Sequence, residues 1–237
     1  MIEYVTVERC PVCGGKGVFD KHYDGDELGV KFDLYRCVNC HTNWQNPRLS
    51  DKSLAEYYRS GIYRSVEARH IKEEYALNSV VERLKMLDIF LRGIEMTPKR
   101  CLDVGCARGY MLKGLQRKYG AEIVGYDLYP DPEAIIDIVK SKDEIKGKYD
   151  LITCIHVLEH MPEPMKELTW MASLLNENGV LMIEIPFKKI PIVPHLTIFS
   201  RQSITLLMKH IHAKYIYWDI QYNDIGIMFT QPGLQKG

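Results

Sequence analysis

Charge of one sign is missing from this 237-residue chain: 31 lysines and arginines balance 31 aspartates and glutamates. A protein whose main task is gripping duplex nucleic acid is normally clearly basic. The balance therefore argues against that class, while leaving room for a local basic patch. No apolar run reaches the ~18 residues that a membrane span needs, so no membrane partner is expected. The first ten residues, MIEYVTVERC, lack a basic segment followed by an apolar one, and no signal peptide is expected. Seven cysteines, an odd number, argue against a complete disulfide framework, and a reducing cytoplasm is the expected location. Internal repeats and low-complexity segments are absent from the sequence as well. The length suits one large domain, or a domain of about 150–200 residues with a small module.

Cysteine pairs are what the first 48 residues do have. Cys10-Pro11-Val12-Cys13 and Cys37-Val38-Asn39-Cys40 can present four thiolates tetrahedrally to Zn2+, each pair wrapping one side of the ion. Between them, VFDKHYDG and VKFDLYRC alternate like a hairpin or ribbon. So short a region has little core, and the metal should supply much of its folding free energy. With all four positions filled by protein, the zinc is structural. Redox activity is the competing reading, but two separated pairs outside a thioredoxin-like context favour metal. Cys101, Cys106 and Cys154 read as small strand-end residues, not metal ligands.

After Pro47, LSDKSLAEYY predicts a short helix capped by Ser50, and Ser65–Gly93 predicts a long amphipathic helix. In the latter, Ile71, Tyr75, Val80, Val81, Leu84, Leu87 and Leu91 recur at helical spacing. From Lys99 the texture alternates. KRCLDVGC, AEIVGYDLY, a weaker AIIDIV, YDLITCIHV and VLMIEIPF predict strands. YMLKGLQRKYG, EPMKELTWMASLLNENG and SRQSITLLMKHIH predict helices, the second closed by Gly179 and the third opened by Ser200. KYIYWDIQ and IGIMFTQ predict a final antiparallel hairpin. The fold expected is α/β: a Rossmann-like, seven-stranded, mostly parallel sheet with helices on both faces, beside a small N-terminal zinc ribbon. The divisions expected are 1–48 for the ribbon, 49–97 for a helical linker or lid, and 98–237 for the sheet domain. Ligands of such sheets bind beyond the carboxyl ends of the strands, which gathers 103–109, Asp127 and 154–160 around one crevice.

Two stretches at that crevice carry chemistry. Asp103-Val104-Gly105-Cys106-Ala107-Arg108-Gly109 is not the G-x-G-x-x-G dinucleotide fingerprint, whose helix N-terminus faces a pyrophosphate. Its small residues let backbone approach a ligand closely, and an acid at the strand end suits a cationic or amino-bearing ligand. Asp127, ending the next strand, can take both hydroxyls of a ribose. His156-Val157-Leu158-Glu159-His160 spells H-x-x-E-H, a zinc-peptidase pattern that needs both histidines on one helical face. Here it continues directly from an apolar strand, a context against that reading.

These motifs resemble the class I S-adenosylmethionine-dependent methyltransferases, whose first motif is a strand followed by D-x-G-x-G-x-G and whose second is an acid ending the next strand. The likeness covers about Cys101 to Pro186 well. It implies S-adenosyl-L-methionine as cofactor, with Gly105, Ala107 and Gly109 along its methionine part, Asp103 near its amino group and Asp127 on its ribose. Cys106, Leu128, Cys154 and Ile155 complete the implied lining. Many members carry a turn like HVLEH beside the methyl group and the substrate, which makes His160 and His156 candidates for a general base. The stretch from Pro194, PHLTIFSRQSITLL, resembles one found in subfamilies that modify sugars and other small molecules. It implies His195 as the first choice of base, with His160 second. A ribbon followed by a tyrosine-rich segment resembles a group associated with sugar modification, and places Tyr58 and Tyr63 near the substrate. Methyl transfer to a hydroxyl of a sugar or related metabolite is therefore expected. The rival readings are an RNA methyltransferase with ribbon–RNA contacts and a non-catalytic cofactor-binding module. The oligomeric state is left open.

Overall fold

A computed structural model describes residues 2–24, 30–60, 73–186, 192–213, 216–221 and 225–231. Alternation with a period of two builds its central sheet. In β6 (Arg100–Val104), Leu102 and Val104 enter one apolar core while Cys101 enters another. The same division separates Ile152 and Cys154 from Leu151 in β9 (Tyr149–Ile155). It also separates Leu181, Ile183 and Ile185 from Val180 and Met182 in β10 (Leu175–Pro186). A sheet buried on both faces needs helices on both. α2 (Glu73–Gly93) and α3 (Tyr110–Tyr119) cover one face with Val80, Leu87, Leu91, Met111, Leu112 and Leu115. α4 (Pro164–Ser173) and α5 (Arg201–His210) cover the other with Leu168, Met171, Ile204, Leu207 and Met208.

With β7 (Glu122–Tyr126), β8 (Ile138–Val139), β12 (Ile216–Gln221) and β13 (Ile225–Thr230), the sheet has seven strands in the order β12-β13-β10-β9-β6-β7-β8. The five from β10 to β8 are parallel, and β13 runs antiparallel to both β10 and β12. The expected seven-stranded α/β sheet and its closing hairpin are therefore present. From β6 the chain first builds outward through β7 and β8, then returns to the other side through β9. The switch point lies between β6 and β9, so the crevice opens beyond their carboxyl ends.

Two local expectations change. The third strand shrinks to Ile138–Val139. The helix begun at Pro164 stops at Ser173, and Gly179 sits inside β10, at the irregularity between Leu175 and Val180. A Cβ on Gly179 would lie 2.9 Å from the Tyr149 carbonyl, so close strand packing, not helix capping, explains this glycine. Of the long helix expected from Ser65, residues 73–93 are described; 65–72, and Tyr63 before them, lie outside the described residues.

The ribbon is β2 (Gly17–Tyr23), β3 (Phe32–Cys37) and β4 (Asn43–Gln45), antiparallel throughout. Its outer edge is not free. β11 (Thr197–Ile198), from far along the chain, pairs with β4 as a fourth strand. Trp44 is buried in the same core as Phe199 and Leu207, and Phe32 and Leu34 share a core with Val193, Leu196 and Ile198. β1 (Tyr4–Val5) pairs with β5 (Arg48–Leu49), and α1 (Asp51–Arg59) follows with Ser50 accepting from the Ser53 N–H as its cap. Among the described residues, no helix is long and apolar enough to cross a membrane.

Candidate active site and metal centre

The four ribbon cysteines converge. Cys10 Sγ lies 3.5 Å from Cys40 Sγ and Cys13 Sγ 3.4 Å from Cys37 Sγ, and all four sulfurs fall within 4.8 Å of one another. Bonds of about 2.3 Å to a tetrahedral zinc place sulfurs about 3.8 Å apart, so the spacing fits the ion. Burial works against the thiolate on Cys37, but N–H donors of Cys40 and Asn39 pull it down to about 7. Gly15 packs tightly on this knuckle: a Cβ there would lie 3.0 Å from Cys37 Sγ, so a larger residue would have to push the cluster aside. Cys10, Cys13, Cys37 and Cys40 are thus a set that could hold Zn2+ with no open position.

At the sheet, the turn after β6 is shaped by its neighbours. Gly105 and Gly109 have φ of +74° and +83°, which favours glycine. A Cβ on Gly105 would lie 2.3 Å from Val157, and one on Gly109 2.5 Å from Ile136. Ala107 holds φ +46° in the left-handed region, a strain of about 1–2 kcal/mol. Asp103, 4% exposed, accepts from Thr153 Oγ1 at 2.6 Å. Burial pushes its carboxyl up to about 7 despite that bond. Asp127 fastens the turn to the β7 end, accepting from the N–H of Ala107 at 3.0 Å and of Tyr129 at 2.8 Å. Leu128 is exposed beside it, Ile155 is half-buried, and the thiols of Cys106 and Cys154 are buried in the two cores. Burial raises both thiols well above the ordinary range, so neither is a nucleophile.

The H-x-x-E-H segment does not form one helical face. His156 stands just past β9 with φ +53°, and Leu158–His160 is a single 3₁₀ turn. His156 Nε2 meets Glu184 Oε1 at 2.9 Å, and its Nδ1 lies 3.5 Å from Glu159 Oε1. Burial disfavours its charge, but these two carboxylates raise it to about 9 and keep it an imidazolium at neutral pH. Glu184, inside β10, is gripped by Arg83 of α2 through Nε at 2.7 Å and Nη2 at 2.5 Å. Burial opposes its ionisation, yet Arg83 and His156 hold it at about 2.

His160 and His195 face each other edge to face, ring centroids 4.9 Å apart. His160 Nδ1 lies 2.8 Å from the Tyr58 hydroxyl, and burial pushes this imidazole down to about 4. Tyr58 stacks on Tyr129 at 5.1 Å, so α1 reaches over the crevice to the loop after β7. His195 is 8% exposed, and its backbone carbonyl accepts from Gln45 Nε2 at 3.1 Å. The structure thus brings Tyr58, His160 and His195 together and gives His156 to an ion-pair network. Sequence reasoning did not assign Glu159, Glu184, Arg83, Thr153 or Gln45. Lone polar residues inside the apolar strands YDLITCI and VLMIEIPF were the available signal for Thr153 and Glu184.

A methyltransferase domain family model matches residues 69–217. The ubiquinone biosynthesis O-methyltransferase of Xanthomonas campestris pv. campestris (strain B100) is 28% identical over 190 residues, covering 68% of this chain and 77% of its own length. The enzymes of the same name from Shewanella halifaxensis (strain HAW-EB4) and Dechloromonas aromatica (strain RCB) are 31% and 27% identical over 113 residues. Each match covers 41% of this chain, and about half the length of those relatives is spanned. Among solved structures, the Burkholderia thailandensis 1,6-didemethyltoxoflavin-N1-methyltransferase with bound S-adenosylhomocysteine superimposes with a TM-score of 0.60 at 15% identity. It covers 91% of this chain and all of that one, a likeness of fold. The family match spans more than half the chain and takes in the turn after Asp103, the histidine loops and the sheet from β6 to β10: this chain belongs to the S-adenosylmethionine-dependent methyltransferase family.

Proposed function

We propose that the chain transfers a methyl group from S-adenosylmethionine to a hydroxyl of a small acceptor, a sugar or related metabolite, with a histidine as general base. The observation that supports this most is the pairing of His160 and His195 next to the turn that begins at Asp103. Val157, inside the HVLEH loop, packs directly on Gly105. The O-methyltransferase names of the relatives favour oxygen as the methylated atom. In this reading 98–237 is the catalytic sheet, 1–48 the ribbon and 49–97 the cover that brings Tyr58 to the crevice. Asp103 and the small-residue turn would hold the amino-acid end of the cofactor, and Asp127 its ribose.

When bound, the cofactor would supply an activated methyl on a sulfonium, with a neutral thioether as the leaving group. The chain's own task is to align the acceptor and receive its proton, which becomes acidic as the C–O bond forms. His195 takes that role ahead of His160, because burial, against the pull of Glu159, holds the His160 ring away from protonation. Substituting His195→Ala should lower kcat by about 10²–10⁴-fold with S-adenosylhomocysteine affinity unchanged. Full turnover in that variant would remove His195 from the reaction. The acceptor class is tested by assaying nucleotide sugars, free sugars and RNA as methyl acceptors.

A further inference from the structure

We propose that Glu159, His160 and His195 form a second metal site, separate from the ribbon, that binds one divalent cation of the zinc, cobalt or iron type. Two observations carry it. The ligand atoms of these three side chains lie within 4.8 Å of one another. And Glu159, 1% exposed, has neither carboxylate oxygen hydrogen-bonded to any described residue.

A buried carboxylate without hydrogen bonds costs several kcal/mol unless a cation answers it. The nearest cationic group, His156, approaches only to 3.5 Å and spends its other nitrogen on Glu184 at 2.9 Å. His160 Nε2 stands 3.8 Å from Glu159 Oε1. Its other nitrogen is already engaged by Tyr58 at 2.8 Å, the kind of outer contact that fixes which nitrogen of a ligand histidine faces a metal. Bonds of about 2.1 Å to nitrogen and oxygen put neighbouring ligands about 3.4 Å apart, so the cluster closes on an ion by a contraction of about an ångström. Two imidazoles with one carboxylate select a borderline cation over magnesium or calcium, which prefer oxygen ligands throughout.

Three protein ligands leave a position open, as in catalytic and not structural metal sites. The site faces the crevice assigned above to the acceptor, and what the metal does there rests on that assignment. A hydroxyl bound at the open position would be acidified by the cation and lose its proton to solvent. The loaded cluster then acts on the acceptor as a Lewis acid, where the bare cluster acts through His195. The site is not the zinc-peptidase arrangement, because His156 belongs to the Glu184 pair and His195 comes from a distant loop.

The test is metal stoichiometry, which needs no substrate. Protein stripped of metal and titrated with Co2+ should bind two ions per chain. The first should show the intense near-ultraviolet bands of thiolate ligation, and the second only weak visible bands of nitrogen and oxygen ligation. Glu159→Gln and His195→Asn should each weaken the second ion at least 10-fold while the thiolate bands stay unchanged. The retained bands also report that the ribbon of each variant has folded. Binding of a single ion, or a second ion indifferent to both variants, overturns the proposal. Two ions with no methyl transfer to any acceptor would keep the metal site and remove the functional reading on which its role rests.

Discussion

Gln45, on the last ribbon strand, donates its side-chain amide to the backbone carbonyl of His195 at 3.1 Å, across 150 positions of chain. The same amide reaches the carbonyls of Ile192 at 3.2 Å and Val193 at 3.1 Å. Just beyond, β11 pairs with β4. The ribbon therefore sets where the candidate base stands.

Gln45→Ala should test that coupling. It leaves buried carbonyls unpaired, at a cost of about 1–3 kcal/mol. The expected outcome is a lower thermal midpoint and reduced kcat with unchanged affinity for S-adenosylhomocysteine. Turnover at the wild-type level would show that the loop holds His195 without the ribbon's help.

Zinc removal should act at a distance for the same reason. The Ser200 hydroxyl, which caps α5, also donates to the carbonyl of Cys40. Stripping the metal with a strong chelator should lower the melting temperature and methyl transfer together. Readdition of zinc should restore both, provided the protein is kept reduced. Activity that survives verified loss of the ribbon metal would separate the two regions.

Cofactor affinity should depend on pH through Asp103. Its folded value of about 7 lies above the ~3.9 of an unfolded aspartate. The stability linked to this group is complete below the unfolded value and is lost as pH rises through about 7. The groups that act on it are Thr153, Asp127 and Arg83. An ammonium placed beside it favours the carboxylate, so binding of S-adenosylhomocysteine should tighten between about pH 5.5 and about pH 8 and release a proton. Calorimetry in buffers of different ionisation enthalpy reads that proton directly. Asp103→Asn should remove the release; a wild-type affinity that is flat with pH would place the amino group elsewhere.

Arg83→Met should be among the most damaging changes outside the crevice. It strands Glu184, whose side chain is 3% exposed, with His156 as its remaining partner. Breaking a buried pair from one side costs about 3–5 kcal/mol. Urea unfolding should register that loss as a lower midpoint with an unchanged slope. The pair's contribution is present above the ordinary glutamate range and fades as pH falls toward about 2, so the wild-type and variant curves should converge in acid.

How much was legible in the sequence follows from how local each signal is. Strand periodicity, the glycine turn after Asp103 and the C-x-x-C spacing each depend on residues a few positions apart, and all are where the sequence put them. Gly179 misled because a glycine after a helical pattern reads as a cap, whereas close packing against β9 is a contact with another strand. Glu159 stood in plain view within HVLEH, but that its carboxylate is buried without a hydrogen bond emerges only from the tertiary structure.

By itself, then, the sequence determined the α/β alternation, the order of the strands along the chain, the four thiols that could hold a metal and the acid-and-glycine turn. Each is written in neighbouring residues and their backbone preferences. Only the tertiary structure decided that His195 meets His160 and Glu159, that His156 is consumed by Glu184, and that β11 completes the ribbon. Those outcomes depend on which distant segments share a buried space, where an ionised or polar group must find a partner and water cannot supply one.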